Sequence, residues 1–184
     1  MKVFHPLDLI PQGWPSAAVF VVLLAFELFT MGKAAGNLKT PESPYNAISL
    51  ELAWGERRAQ EIVGAWKREA MIDEAHRHLC SDNVFILFYS TLAAFGCVIA
   101  ARTFFTPGTG AYNAALLVAW LPWLAGLLDY AENYGIYRML GGFEGAALPL
   151  LTSACATVKF LIIVPLAFYG LCGVFVAAKR ALAG

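Results

Sequence analysis

Charged residues and recognisable catalytic motifs are both scarce in this sequence. Only 14% of the 184 residues are charged, against about 25% in a typical soluble domain. The formal net charge is zero, with 13 basic and 13 acidic residues, so no overall field attracts nucleic acid. There is no Walker loop, no GxGxxG, no GxSxG and no kinase motif set, which excludes the commonest nucleotide-dependent and hydrolase families.

Metal-binding and disulfide patterns are missing as well. The four cysteines form no CxxC or CxxCH motif, and three of them lie inside apolar runs, where cysteine behaves as a small hydrophobic residue. The three histidines all lie outside the long apolar segments, so a bis-histidine haem within a membrane bundle is excluded. The sequence therefore identifies no cofactor.

Long apolar runs dominate what is present. Hydrophobic residues make up 59% of the chain, and the mean hydropathy is +0.62. A membrane-spanning helix needs about 20 mostly apolar residues. Four segments meet this requirement: residues 16–36, 83–102, 112–133 and 147–178. The sequence therefore predicts an all-α fold, an integral membrane four-helix bundle that forms a single membrane domain over residues 1–184.

The one long polar stretch lies between the first two predicted spans, over residues 37–82. It opens as a proline-containing loop and becomes helical from about Glu56. Apolar residues recur on one face of this helix, at Ala59, Ile62, Val63, Trp66 and Ala70. The pattern predicts an amphipathic extramembrane helix that either binds a partner or the membrane interface, with Trp66 at headgroup depth, or packs on its own bundle. Basic residues in this stretch place it in the cytoplasm by the positive-inside rule.

A few ionisable residues fall inside the predicted spans or at their ends. Asp129, Glu132 and Asn133 are three and four residues apart, so they share one helical face. We expect this face to point inward, because a carboxylate exposed to lipid costs several kcal/mol. Lys159, within the fourth span, is the expected counter-charge. The predicted polar cluster comprises Glu27, Asp82, Asp129, Glu132, Asn133 and Lys159, on the side of the bundle nearest the polar stretch.

Two strings in this region resemble a known group of proteins. They are residues 81–89 (SDNVFILFY) and residues 128–133 (LDYAEN). Over roughly residues 50–140 the chain is similar to uncharacterised small bacterial four-helix membrane proteins that carry a D-x-x-E-N string on the third helix. The resemblance implies a multi-pass protein of the bacterial inner membrane, and it implies no activity.

Three functions are compatible with such a polar cluster. The sequence favours an accessory or structural subunit, or an assembly factor, of a larger membrane complex, in which the cluster fixes helix register. Its partners would be the lipid bilayer and other membrane subunits or further copies of the chain.

The first alternative is a membrane enzyme that acts on a lipid-like substrate, with Asp129 or Glu132 as the acid/base catalyst. His78 and Asp82, four residues apart, are weak candidates for metal ligands in such an enzyme. The second alternative is a transporter of protons or a small solute, because intramembrane acids and a lysine are usual components of such a pathway.

Overall fold

The regular structure of this protein is helical. The computed structural model describes residues 3–34 and 37–183, with the side chains of residues 30–34 left out, and no strand occurs within that part of the chain. The helices are α1 (Trp14–Ala34), α2 (Ile48–Glu51), α3 (Glu56–Arg68), α4 (Ile72–Phe104), α5 (Gly110–Val118), α6 (Leu121–Gly141) and α7 (Ala147–Ala183). Three stretches are long and apolar enough to cross a membrane, namely α4, α5 together with α6, and α7, while α1 contains a shorter apolar helix over Trp14–Phe29. These helices indicate a membrane protein.

Two helices differ from the spans that the sequence predicts. The helix predicted from residue 83 begins at Ile72, because Asp73 and Glu74 lie in its first turn, where acidic side chains favour the helix dipole. The third span, predicted as continuous over residues 112–133, is interrupted between α5 and α6. Pro122 lies in the first turn of α6, where the missing proline N–H removes no helical hydrogen bond.

A first compact unit comprises residues up to Leu28, Leu87–Gly126 and the residues from Leu161. In this unit α4 and α7 approach through small residues. Gly173 of α7 lies against Ala100 of α4, so closely that a Cβ added to this glycine would be 2.3 Å from the alanine Cα. Glycine is therefore required at this position by the contact between the two backbones, as is common where membrane helices pack.

The segment before α1 covers the break between α5 and α6. In a continuous helix the Ala119 carbonyl would accept from the Trp123 N–H, but that N–H bonds instead to the Trp120 carbonyl. The buried His5 ring takes the place of the missing donor, because its Nε2 lies 3.2 Å from the Ala119 carbonyl. The face of the ring stacks on Trp123, with 5.0 Å between the ring centroids. Its Nδ1 accepts from the Leu7 N–H. These two contacts require the neutral ring with its proton on Nε2.

Asp8 fixes the same segment to α4 and α5. Its Oδ1 accepts from Arg102 Nε over 2.8 Å and from the Tyr112 hydroxyl over 2.7 Å. Arg102 also donates to the Ile10 carbonyl over 2.9 Å. The Val3 N–H donates to the Asn113 side chain over 3.0 Å. Residues 3–13 are thus an integral part of the first unit.

The stability of this unit is expected to fall as the pH drops below the ordinary histidine range. Burial lowers the pKa of His5 from its usual value of 6.5, although the Ala119 hydrogen bond and Asp8 oppose that effect. The unfolded chain takes up a proton near that value while the folded protein does not, so stability is full above it and declines as the pH falls below it. Thermal unfolding in detergent at about pH 7.5 and about pH 5.5 should show the decline. In the variant His5→Gln, whose amide can still donate to Ala119, the unfolding temperature should depend much less on pH. If it falls between the two pH values as much as in the wild type, groups other than His5 cause the decline.

A second compact unit comprises Phe29–Ile86 and Leu127–Phe160. Its core is built on the apolar face of α3, where Ile62, Val63 and Trp66 are buried. Trp66 is 1% exposed, and its Nε1 donates to the Leu38 carbonyl over 3.0 Å and to Ser43 Oγ over 2.9 Å. The indole therefore packs inside this unit, as the second of the two alternatives for the amphipathic helix predicts, and it anchors the preceding loop to α3.

Candidate functional site

Lys159 of α7 is the centre of a buried charge cluster in the second unit. Its Nζ lies 2.8 Å from Asp129 Oδ1, 2.8 Å from Glu132 Oε2 and 3.7 Å from Glu51 Oε2. The lysine side chain is 7% exposed, and those of Asp129 and Glu132 are 8% and 1% exposed. The two acids are neighbours because they stand three residues apart on α6. We call these four residues the Lys159 cluster.

Glu51 reaches the cluster from α2, a helix of only four residues. Leu50 of this helix is fully buried, whereas Ile48 and the adjoining Leu52 are exposed, so the helix lies with one face on the protein. Just beyond it, Trp54 adopts a left-handed backbone with φ of 57° and donates its N–H to Ser153 Oγ of α7 over 2.9 Å. That hydrogen bond ties the residues that follow α2 to α7, the helix that carries Lys159, and it thereby positions Glu51.

Glu51 is the member of the cluster that lies outside the long apolar helices, and its pKa is shifted by its surroundings. Burial raises the pKa of Glu51, and the repulsion of Asp129 acts in the same direction. The Lys159 ammonium opposes this shift without cancelling it. A carboxyl group in such surroundings keeps its proton to higher pH than a glutamate in water. Because three carboxyl groups surround one lysine, a proton on Glu51 brings the cluster closer to electrical balance.

A second polar group joins α4 to α6. Asn133 Nδ2 donates to Asp82 Oδ2 over 2.8 Å and to Asn83 Oδ1 over 3.2 Å. Nearby, the Tyr130 hydroxyl donates to the Asn83 carbonyl over 2.7 Å. Glu51 of the first group and Asn133 of the second line a cavity of about 10 Å³, together with His78 and others. A cavity of that size has room for about one water molecule, so it does not accommodate a lipid-like substrate.

The structure brings together most of the residues that the sequence predicts to form a polar cluster. Asp129 and Glu132 contact Lys159, and Asn133 contacts Asp82. Asp82 lies well inside α4 rather than at the start of a helix, because α4 begins at Ile72. Glu27 belongs to the first compact unit, whereas the other predicted members belong to the second.

The weak metal candidates gain no support from the geometry. Within the described part of the chain, no group of three or more His, Cys, Asp or Glu side chains is arranged to hold a metal ion. His78 lines the small cavity, while Asp82 accepts a hydrogen bond from Asn133. Two such residues fall short of the three protein ligands that a catalytic zinc site uses.

Glu51 is the member of the Lys159 cluster that the sequence analysis does not predict. The segment 46–54 (NAISLELAW) holds a single charged residue among mostly apolar ones. Such a lone acid in an apolar stretch is the same signal that identified Asp129 and Glu132. The signal is weak here because the segment lies within residues 37–82, a stretch that is polar on average.

The contacts of the cluster limit what it can do chemically. Its three carboxyl groups all contact Lys159, and none of their side chains is more than 13% exposed. A substrate could reach them only after the residues that bury them had moved away. The cluster is therefore suited to holding α2, α6 and α7 in register.

Comparison with models of known protein families, with curated proteins and with solved structures finds no match to this chain.

Proposed function

We propose that this protein is a non-catalytic accessory or structural subunit, or an assembly factor, of a larger complex in the bacterial inner membrane. In this proposal α1, α4, α5 with α6, and α7 are its four spans. The supporting observation is that Lys159 is neutralised within the chain by carboxyl groups that are almost completely buried. A general acid or base must come within hydrogen-bonding distance of its substrate. A charge cluster that only fixes the register of helices needs no contact with a substrate, so its burial is compatible with that role.

An exposed apolar surface on the second unit supports a protein partner. Tyr45, Ile48, Leu52 and Trp54 are 72%, 47%, 39% and 48% exposed. We call these four residues the 45–54 surface. Exposed sets of large apolar side chains mark interaction sites more often than single ones do. Because Glu51 lies in the same segment and contacts Lys159, the cluster holds this surface in a fixed position.

The proposal predicts that the chain is isolated with a partner at fixed stoichiometry. Native membranes would be extracted in mild detergent, and the assemblies resolved by native gel electrophoresis and mass spectrometry. The double variant Ile48→Ser with Leu52→Ser should lower the affinity for the partner by about 30-fold or more, and its recovery with it, since apolar anchors contribute of order 1–2 kcal/mol each.

Leu182→Ser is the matched control, because Leu182 is 90% exposed and lies outside the 45–54 surface. This control should recover the partner as well as the wild type does. Isolation of the wild-type chain as a monomer, or as an oligomer of itself alone, would overturn the subunit proposal.

A further inference from the structure

A cleft of about 720 Å³ opens in the first compact unit. It lies between the start of α1, the end of α4 and the end of α7. Much of its wall is apolar and is formed by side chains such as Phe20, Val21, Ile99 and Val174. Small-molecule sites have volumes of about 300–1,000 Å³, so the cleft is large enough to hold a ligand. Its composition favours a ligand with a long apolar part.

The polar residues of the cleft lie at the helix ends. They are Gln12, Ser16, Arg102, Thr103 and Arg180. The residues that line the cleft in the described chain include two arginines and no acid. The lining is therefore positively charged at one end and apolar along the rest, which is the charge pattern that complements an anionic amphiphile.

The two arginines differ in what they can offer a ligand. Arg102 is committed to the segment before α1, through Asp8 and the Ile10 carbonyl, and its side chain is 9% exposed. Arg180 donates from Nη1 to the Thr103 carbonyl over 2.9 Å. A guanidinium group carries five N–H donors, so this contact leaves Arg180 able to bind an anion through its other donors.

We propose that the cleft binds an anionic phospholipid, with the phosphate at Arg180 and an acyl chain along Phe20, Ile99 and Val174. The guanidinium group matches phosphate geometry and forms charge-assisted hydrogen bonds with it. The ends of α4 and α7 are the ends of two helices that can span a membrane, which is the level at which lipid headgroups lie. The apolar wall selects a membrane lipid over free phosphate, which has no apolar part to place there.

The test is native mass spectrometry of the purified full-length chain titrated with phosphatidylglycerol and, separately, with phosphatidylcholine of the same acyl chains. The anionic lipid should bind the wild type about tenfold more tightly, and Arg180→Gln should abolish that preference. Lys179→Gln is the matched control, because Lys179 has the same charge and is adjacent in sequence but does not line the cleft. The affinity of Lys179→Gln for phosphatidylglycerol should differ from that of the wild type by less than about twofold.

Two further measurements separate a lipid site from a general attraction to charge. Ala178→Phe, at an exposed position of the cleft wall, should remove the bound phosphatidylglycerol by filling the space. Inorganic phosphate, added at the same concentration as the phosphatidylglycerol, should displace none of the bound lipid. Equal weakening by Arg180→Gln and Lys179→Gln, equal binding of the two lipids, or undiminished binding by Ala178→Phe would each overturn the proposal.

Discussion

Replacing Lys159 by methionine is expected to destabilise the protein by about 3–5 kcal/mol, because it removes one partner of a buried ion-pair network. Asp129 and Glu132 each lie 2.8 Å from the ammonium group, and their side chains are too deeply buried for water to replace it. Methionine has a similar length and keeps most of the apolar packing, so the effect reports the charge. Thermal unfolding in detergent, followed by circular dichroism, would measure it.

Lys179→Met is the control for this experiment, because Lys179 is an exposed lysine of the same helix. It should unfold at the wild-type temperature. Adding Asp129→Asn and Glu132→Gln to Lys159→Met should restore much of the lost stability, since the charges are then removed together. A wild-type unfolding temperature for Lys159→Met alone would show that the cluster does not stabilise the fold.

Adding a single methyl group at Gly173 is the second substitution expected to have a large effect. The new Cβ of Gly173→Ala would lie 2.3 Å from Ala100 Cα, so α4 and α7 must separate or distort. Overpacking of this kind costs about 1–3 kcal/mol. Unfolding in detergent should therefore shift to lower temperature, with a loss of the fully folded fraction on purification.

Gly141→Ala provides a control with the opposite expected sign. Gly141 ends α6, and a Cβ added there would meet nothing within 4 Å. Alanine in place of glycine in a helix otherwise stabilises by about 0.5–1 kcal/mol, because less backbone entropy is lost on folding. If the two variants behaved alike, the close approach of α4 and α7 would not be the cause of the Gly173 effect.

The all-helical fold and the centre of the candidate site could be predicted from the sequence. Long apolar runs are sufficient to identify helices that can cross a membrane, since their length and composition are local properties. The spacing of Asp129 and Glu132 places both on one helical face, and Lys159 was the expected counter-charge in the fourth span. In the structure the Lys159 ammonium lies 2.8 Å from a carboxylate oxygen of each acid.

Other features depend on contacts between distant segments, which leave little trace in the sequence. Glu51 lies in a four-residue helix, too short to be stable by itself, so the helix depends on packing within the second unit, where Leu50 is buried with the apolar face of α3. The break after α5 is stabilised by His5, which lies 114 residues away in the chain. The need for glycine at position 173 follows from the position of Ala100, and no periodicity reveals that contact.

The hydrogen bonds of the segment before α1 also constrain the path of the chain through the bilayer. Arg102, near the end of α4, donates to Asp8 and to the Ile10 carbonyl, so the proposed topology must place these residues on the same side of the membrane. The proposed topology then has an even number of crossings between Ile10 and Arg102. If α4 provides one crossing, a second is required, and α1 is the apolar helix in this interval that can provide it. In the proposed topology α1 and α4 therefore cross as a pair, and both ends of the α1–α4 stretch face the same compartment.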